Sequence, residues 1–209
     1  MGVVIVDYGA GNLASVRRAV ERTGARPLVS HRPEDVHAAD ALIVPGVGAA
    51  ADTMRNLRAC GLVEPVREYI ASGRPFLGVC MGLQALMSFS EEGGTHPCLD
   101  VIPGKVRRLK GGPGLKIPHM GWNTVKPLRE HPAFAGIPDG AYFYFVHSYC
   151  VEPEDHAVVL AETEYGEPIP AALARDNIVA TQFHPEKSGE HGLRFYRNFV
   201  EQALRVSAA

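Results

Sequence analysis

The sequence has 209 residues, 46 % of them hydrophobic, with a formal net charge of -2. A charge balance this close to neutral gives no basic footprint for nucleic acid. No apolar run is long enough for a membrane span, and the start has no basic n-region of a signal peptide. The four cysteines, Cys60, Cys80, Cys98 and Cys150, form no C-x-x-C pair. Their spacing suits neither a zinc site nor a disulfide framework and fits a reducing cytoplasm. The length suits one domain spanning 1–209.

Val3 to Val6 reads as a buried first strand, and Asp7-Tyr8-Gly9-Ala10-Gly11-Asn12 as a turn. Leu13, Val16, Arg17 and Val20 then recur at helical spacing, with Asn12 as N-cap and Gly24 as the stop. Pro27 to Val29 is a second strand and Ala41 to Val44 a third, followed by the loop Pro45-Gly46-Val47-Gly48. Helical patterns cover roughly 50–59 and 62–72. Phe76 to Val79 is a fourth strand, and Leu83, Leu86 and Met87 mark a helix behind it. The strand–helix alternation predicts an open, mostly parallel sheet with helices on both faces.

After Phe89 the pattern changes. Glu91 to Gly114 is rich in Gly and Pro and reads as loops with an edge strand around Lys105 to Lys110. Ile117 to Asn123 does not read as a core strand. Ala141 to Tyr149, Val158 to Ala161, Ala171 to Arg175 and Ile178 to Phe183 have strand composition, with Asp176-Asn177 turning between the last two. Leu193 to Leu204 is an amphipathic closing helix. The second half thus adds antiparallel strands to the parallel sheet.

The chemistry concentrates at Gly78-Val79-Cys80-Met81-Gly82. Cys80 stands where a strand becomes a helix, with glycine two residues to either side, the cysteine form of a nucleophile elbow. That turn lifts the sulfur out of the sheet, points a helix N-terminus at it and leaves the Met81 N–H free for an oxyanion. A nucleophilic cysteine needs a base, and the base needs an orienting acceptor. His184 ends a predicted strand, and Glu186 follows two residues on across the stiff Pro185. Cys80 and His184, each at a strand end, compose a Cys-His-Glu triad with Glu186. Gly46, Val47 and Gly48, at a neighbouring strand end, are candidates for a second oxyanion donor. Their glycines let the Gly46–Val47 peptide rotate, which makes this donor the expected on-switch.

Two rivals compete with this reading. His119 and His147 also follow apolar segments and read as packing or interface residues. Gly9-Ala10-Gly11-Asn12-Leu13-Ala14 matches a dinucleotide fingerprint. However, Asp7 and Tyr8 crowd the place of a diphosphate, and no acidic ribose ligand ends the second strand. No metal-ligand spacing is present, and no cofactor is implied.

The elbow with His184-Pro185-Glu186 resembles the class I (triad) glutamine amidotransferases, the similarity running the length of the chain. Asp7 to Leu13, Pro45 to Gly48, Ile117 to Asn123 and His184 to Ser188 are similar to one branch of that family, which serves histidine biosynthesis. The resemblance implies glutamine as substrate, with Gln84, Glu92, Ser148 and Tyr149 around its amino-acid end. It also implies a (β/α)8-barrel cyclase as partner, in a heterodimer to which the ammonia passes. His119, Trp122, Tyr144 and Lys187 are the expected docking residues. A glutaminase of another pathway and a stand-alone cysteine hydrolase are the alternatives.

Overall fold

The structure, a computed structural model, describes residues 2–207. Its first half alternates β1 (Val3–Val6), α1 (Leu13–Glu21), β2 (Leu28–Ser30), α2 (Pro33–Ala38), β3 (Ala41–Gly46), α3 (Ala50–Ala59), α4 (Val63–Ala71) and β4 (Phe76–Cys80). There follow α5 (Met81–Gln84), β5 (Met87–Ser90), β6 (His96–Pro97), β7 (Ile102–Arg108), β8 (His119–Pro127), β9 (Ala141–His147) and β10 (Tyr149–Pro153). β11 (Val159–Glu164), β12 (Pro168–Arg175), β13 (Ile178–Thr181) and α6 (Gly189–Ser207) complete it.

Among the described residues the main sheet runs β2-β1-β3-β4-β13-β12-β11-β8-β9. The strands from β2 to β13 in that order are parallel, and the rest are antiparallel additions. Because strand side chains alternate between faces, the buried strands feed two cores. Val3, Ile5, Ile43, Leu77 and Val79 pack on α1 and α6, through Val16, Val20, Phe195 and Phe199. Val4, Val6, Leu42, Val44 and Phe76 pack on α2, α3 and α4, through Val36, Met54, Leu57, Val66 and Tyr69. The expected α/β sheet with helices on both faces is therefore present, its antiparallel strands along one side.

Several local expectations change. The helix after Cys80 lasts a single turn, and Met87 opens β5 instead. Leu83, Leu86 and Met87 are all fully buried, and a short apolar run does not distinguish a helix from a buried turn and strand. β7 is not an edge strand but lies inside a second sheet, β10-β7-β5-β6. The stretch 117–123 enters β8, which pairs with β9 along its length. The aromatic run from Ala141 divides at Ser148 into β9 and β10, which belong to different sheets. α2, unpredicted, starts with Pro33 at its first turn and acidic Glu34 and Asp35 behind it, a helix-start pattern. Asp176 takes the left-handed conformation, φ 51°, that the turn into β13 demands.

β3 also runs further than expected. Pro45 and Gly46 remain in the strand, paired with Val79 and Cys80. β1 accompanies β3 only to Ile43, so the missing N–H of Pro45 falls where β3 has one neighbour rather than two. Only Val47 and Gly48 are left as loop.

Candidate active site

β4 is buried throughout and delivers Cys80 to the parallel edge of the sheet at which its neighbours β3 and β13 also end. Cys80 has φ 53° and ψ -101°, a conformation costing a non-glycine residue about 1–3 kcal/mol. The close crossing of α5 over the strands enforces it. A β-carbon at Gly82 would lie 1.9 Å from the Val44 carbonyl oxygen, and one at Gly78 2.6 Å from the Gly82 carbonyl oxygen. Only glycine fits either place. As the first residue of α5, Met81 has an N–H with no intrahelical acceptor, adjoining the sulfur.

β13 runs parallel beside β4, with Thr181 opposite Val79. Beyond it the chain bends, and Thr181 Oγ1 donates to the Phe183 carbonyl at 2.9 Å. The main chain of His184 is fixed from both sides. Its N–H donates to the Tyr144 carbonyl at 2.9 Å, and its carbonyl accepts from Ser188 Oγ at 2.6 Å. Its ring Nδ1 lies 2.8 Å from Glu186 Oε1, with both side chains 2 % exposed. This pairing places the proton on Nδ1 and turns Nε2 toward Cys80 as the working nitrogen. Nε2 is buried and has no hydrogen-bond partner among the described residues. Burial alone would lower the proton affinity of His184, but interaction with Cys80 and Glu186 outweighs it and raises the pKa to about 10. Behind Glu186, Tyr196 Oη donates to Oε2 at 3.5 Å. Burial, reinforced by the Glu186 charge, pushes that phenol well up, so it stays a neutral donor.

A cavity of about 140 Å³ lies in front of Cys80, lined by Val47, Gly48, Cys80, Met81, Gln84, Glu92, Val146, His147, Ser148, Tyr149 and His184. Five separate stretches of sequence thus meet there. Gly46 stands behind the lining, covered by Tyr8 and Met81. Gln84 Nε2 donates to the Tyr149 carbonyl and to Gln182 Oε1, both at 3.0 Å. With both amide hydrogens used, Oε1 is what Gln84 can offer a ligand. Glu92 Oε2 accepts the Ala50 N–H at 2.9 Å, tying the carboxylate to the start of α3. A larger groove of about 710 Å³ along Pro127 to Asp139 includes none of these residues.

Gln182 was missed in the sequence. It is fully buried, and its Nε2 lies 3.6 Å from Cys80 Sγ. Its position two residues before His184 was the available signal. None of the remaining cysteines lines the cavity. Burial raises the Cys98 and Cys150 thiols to about 11, leaving them neutral.

The proposed docking residues separate into two groups. Trp122 is half exposed and meets Tyr144 edge-on at 6.1 Å, while Lys187 Nζ stands 5.6 Å over the Tyr144 ring. With exposed Met120 and Tyr142 they form an aromatic face on the β8–β9 hairpin. His119 does not belong to it. The ring is buried between Tyr165 and Phe145, its centroid 4.0 and 4.8 Å from theirs. Strand alternation explains this, because His119 and Met120 must face opposite sides of β8. His119 Nδ1 lies 3.0 Å from His147 Nε2, and His147 Nδ1 lies 2.8 Å from the Tyr149 carbonyl oxygen. Both rings are neutral, burial lowering His119 to about 4 and His147 to about 3. The glycine loop after β1 packs against the end of β3, a β-carbon at Gly11 reaching 3.7 Å from the Gly46 α-carbon.

Solved structures share this fold. A glutamine amidotransferase aligns with a TM-score of 0.76 at 24 % identity, covering 97 % of this chain and 99 % of that one. PurLQS from Thermotoga maritima aligns at 0.73 and 17 %, covering 96 % and 98 %. Closer in sequence is the imidazole glycerol phosphate synthase subunit HisH of Chloroflexus aurantiacus, 52 % identical over 98 % of this chain and 97 % of that one. The HisH subunit of Geobacter sulfurreducens is 49 % identical over 95 % and 98 %. The family model for class I glutamine amidotransferases matches residues 4–203. The chain belongs to the class I glutamine amidotransferases, among the HisH subunits of imidazole glycerol phosphate synthase.

Proposed function

We propose that this amidotransferase hydrolyses glutamine to glutamate and ammonia through Cys80, His184 and Glu186. The ammonia then serves histidine biosynthesis. The observation that carries the reading is His184 Nε2, buried and unpartnered beside Cys80 while Nδ1 is held at 2.8 Å by Glu186. A purely structural histidine would use both nitrogens.

The thiolate of Cys80 adds to the side-chain carboxamide carbon of glutamine. The oxyanion that forms is met by the Met81 N–H and by an N–H from the end of β3, among Gly46, Val47 and Gly48. His184 gives its Nε2 proton to the amide nitrogen. The carbon–nitrogen bond breaks, ammonia leaves and a glutamyl thioester remains. Water then adds to the thioester carbon as His184 takes its proton, and collapse expels the Cys80 thiolate and releases glutamate. Glu186 keeps Nδ1 protonated throughout. Gln84 Oε1 and the free oxygen of Glu92 are acceptors suited to the substrate's ammonium group, with Ser148 and Tyr149 beside them.

Residues 1–209 act in this reading as one glutaminase domain in the cytoplasm, without cofactor. No helix among the described residues is long and apolar enough to cross a membrane. The ammonia passes to a (β/α)8-barrel cyclase in a heterodimer, where imidazole glycerol phosphate and aminoimidazole carboxamide ribotide are made. The aromatic face of Trp122, Tyr144 and Lys187 supports a docking role beside the cavity. The test mixes the chain with the cyclase and its ribonucleotide substrate. Ring closure should proceed on glutamine with this chain and on ammonium salts without it. No support by glutamine would refute the reading.

A further inference from the structure

Tyr8 lies two residues past β1, in the core on the α3 side of the sheet, 1 % exposed. Its hydroxyl is buried without a hydrogen-bond partner among the described residues, and so is Thr53 Oγ1 on α3. The two hydroxyls interact, yet neither completes a hydrogen bond. A phenylalanine would fill the same space without burying an unpaired hydroxyl, which is destabilising. An orphan of this kind calls for a reason.

Its position supplies one. A β-carbon added at Gly46 would stand 2.1 Å from Tyr8 Oη and 2.6 Å from Met81 Cβ. The hydroxyl therefore occupies the space beside the α-carbon of the last β3 residue, the one paired with Cys80. Burial pushes the phenol pKa up, the approach of Thr53 opposes this, and charge on Cys80 adds to it. Tyr8 is thus a neutral donor within the electrostatic reach of the nucleophile.

We propose that Tyr8 is a positioning residue for the oxyanion strand, its hydroxyl reserved for the Gly46 carbonyl in the reactive state. This rests on the glutaminase reading above. A peptide that turns its N–H toward the oxyanion swings its carbonyl to the opposite side. At a buried strand end that carbonyl goes unpaired, and the penalty opposes the turn. A donor already waiting there removes the penalty. Thr53 Oγ1 then donates to Tyr8 Oη, and Tyr8 Oη donates to Gly46, so that both orphans are satisfied together. The resting enzyme leaves them unpaired, and the reactive one uses them.

The test compares wild type with Tyr8→Phe in the complex with its cyclase, during turnover on the cyclase's ribonucleotide substrate. For glutamate release, kcat should fall about tenfold, the scale of one lost hydrogen bond to a buried group. KM for glutamine should stay within about twofold. Alkylation of Cys80 by iodoacetamide should keep its rate, and Tm should be unchanged or higher. Thr53→Val should lower kcat in the same sense. An active wild type with an equally active Tyr8→Phe variant overturns the inference alone. A fall in kcat accompanied by a lower Tm and altered alkylation also overturns it, because that marks a packing role. A wild type that releases no glutamate removes the glutaminase reading, and the inference with it.

Discussion

Gly46 and Cys80 are register partners at the last step of the β3–β4 ladder. Cys80 and the end of β3, the proposed nucleophile and the proposed source of the second oxyanion donor, are therefore held at one level by the sheet itself. β13 runs alongside β4 on the other side and brings His184 to the same edge. Ligands of open α/β sheets gather at the carboxyl ends of their strands, and here three neighbouring ends contribute.

The elbow should tolerate no β-carbon at Gly82. Its contact would be 1.9 Å from the Val44 carbonyl oxygen, a backbone atom with little room to move. Gly82→Ala is expected to destabilise the chain by about 3 kcal/mol or more, read from the midpoint of urea unfolding. A midpoint equal to wild type would show that α5 can lift from β3.

Glu186→Gln tests the orienting carboxylate. Loss of the charge should lower the His184 pKa from its raised value near 10, visible in an NMR titration of the imidazole nitrogens. Glutaminase kcat should drop by about 10² or more as the imidazole loses its fixed orientation. The raised pKa also has a stability consequence. His184 binds its proton more tightly folded than unfolded, so its contribution is full below the ordinary value of 6.5 and is lost as pH rises through about 10. An unchanged titration in the variant would separate Glu186 from His184.

The buried pair His119–His147 acts in the opposite direction. Both pKa values lie below 6.5, at about 4 and about 3. Below pH 6.5 the unfolded chain gains protons there that the folded chain does not. Stability should therefore fall as the medium is acidified from pH 6.5 toward those values. His119→Gln should flatten this acid limb in urea unfolding. Equal slopes for wild type and variant would place the acid sensitivity elsewhere.

Trp122 is 55 % exposed, so Trp122→Ala should leave Tm nearly unchanged while weakening cyclase binding about 30-fold, as loss of an aromatic anchor does. Titration calorimetry of the two subunits measures this. Equal affinities would move the docking surface off the β8–β9 hairpin.

The parts legible in the sequence were those set by near neighbours. Cys80 with its flanking glycines is a linear signal, as is His184 with Glu186; β1 and β4 are continuous apolar runs, and α1 and α3 carry helical periodicity. What was not legible depends on residues far apart in the chain. The orphaned hydroxyl of Tyr8 has meaning only once β3 and α3 are packed on it. Tyr196 reaches Glu186 only after α6 has docked. β7 looked like an edge because neither of its partners was recognisable, β5 starting at Met87 in what read as a helix and β10 continuing the aromatic strand. His119 was misplaced because a histidine after an apolar segment suits a surface and a stacked interior alike. Only the pairing of β8 with β9 decides between them.

The most direct test of the account is glutamate release by Cys80→Ala in the complex with its cyclase. The variant should release no glutamate from glutamine above background, while ring closure driven by ammonium salts continues at the wild-type rate. Glutamate release near the wild-type rate from Cys80→Ala would contradict the assignment of the nucleophile, and with it the triad.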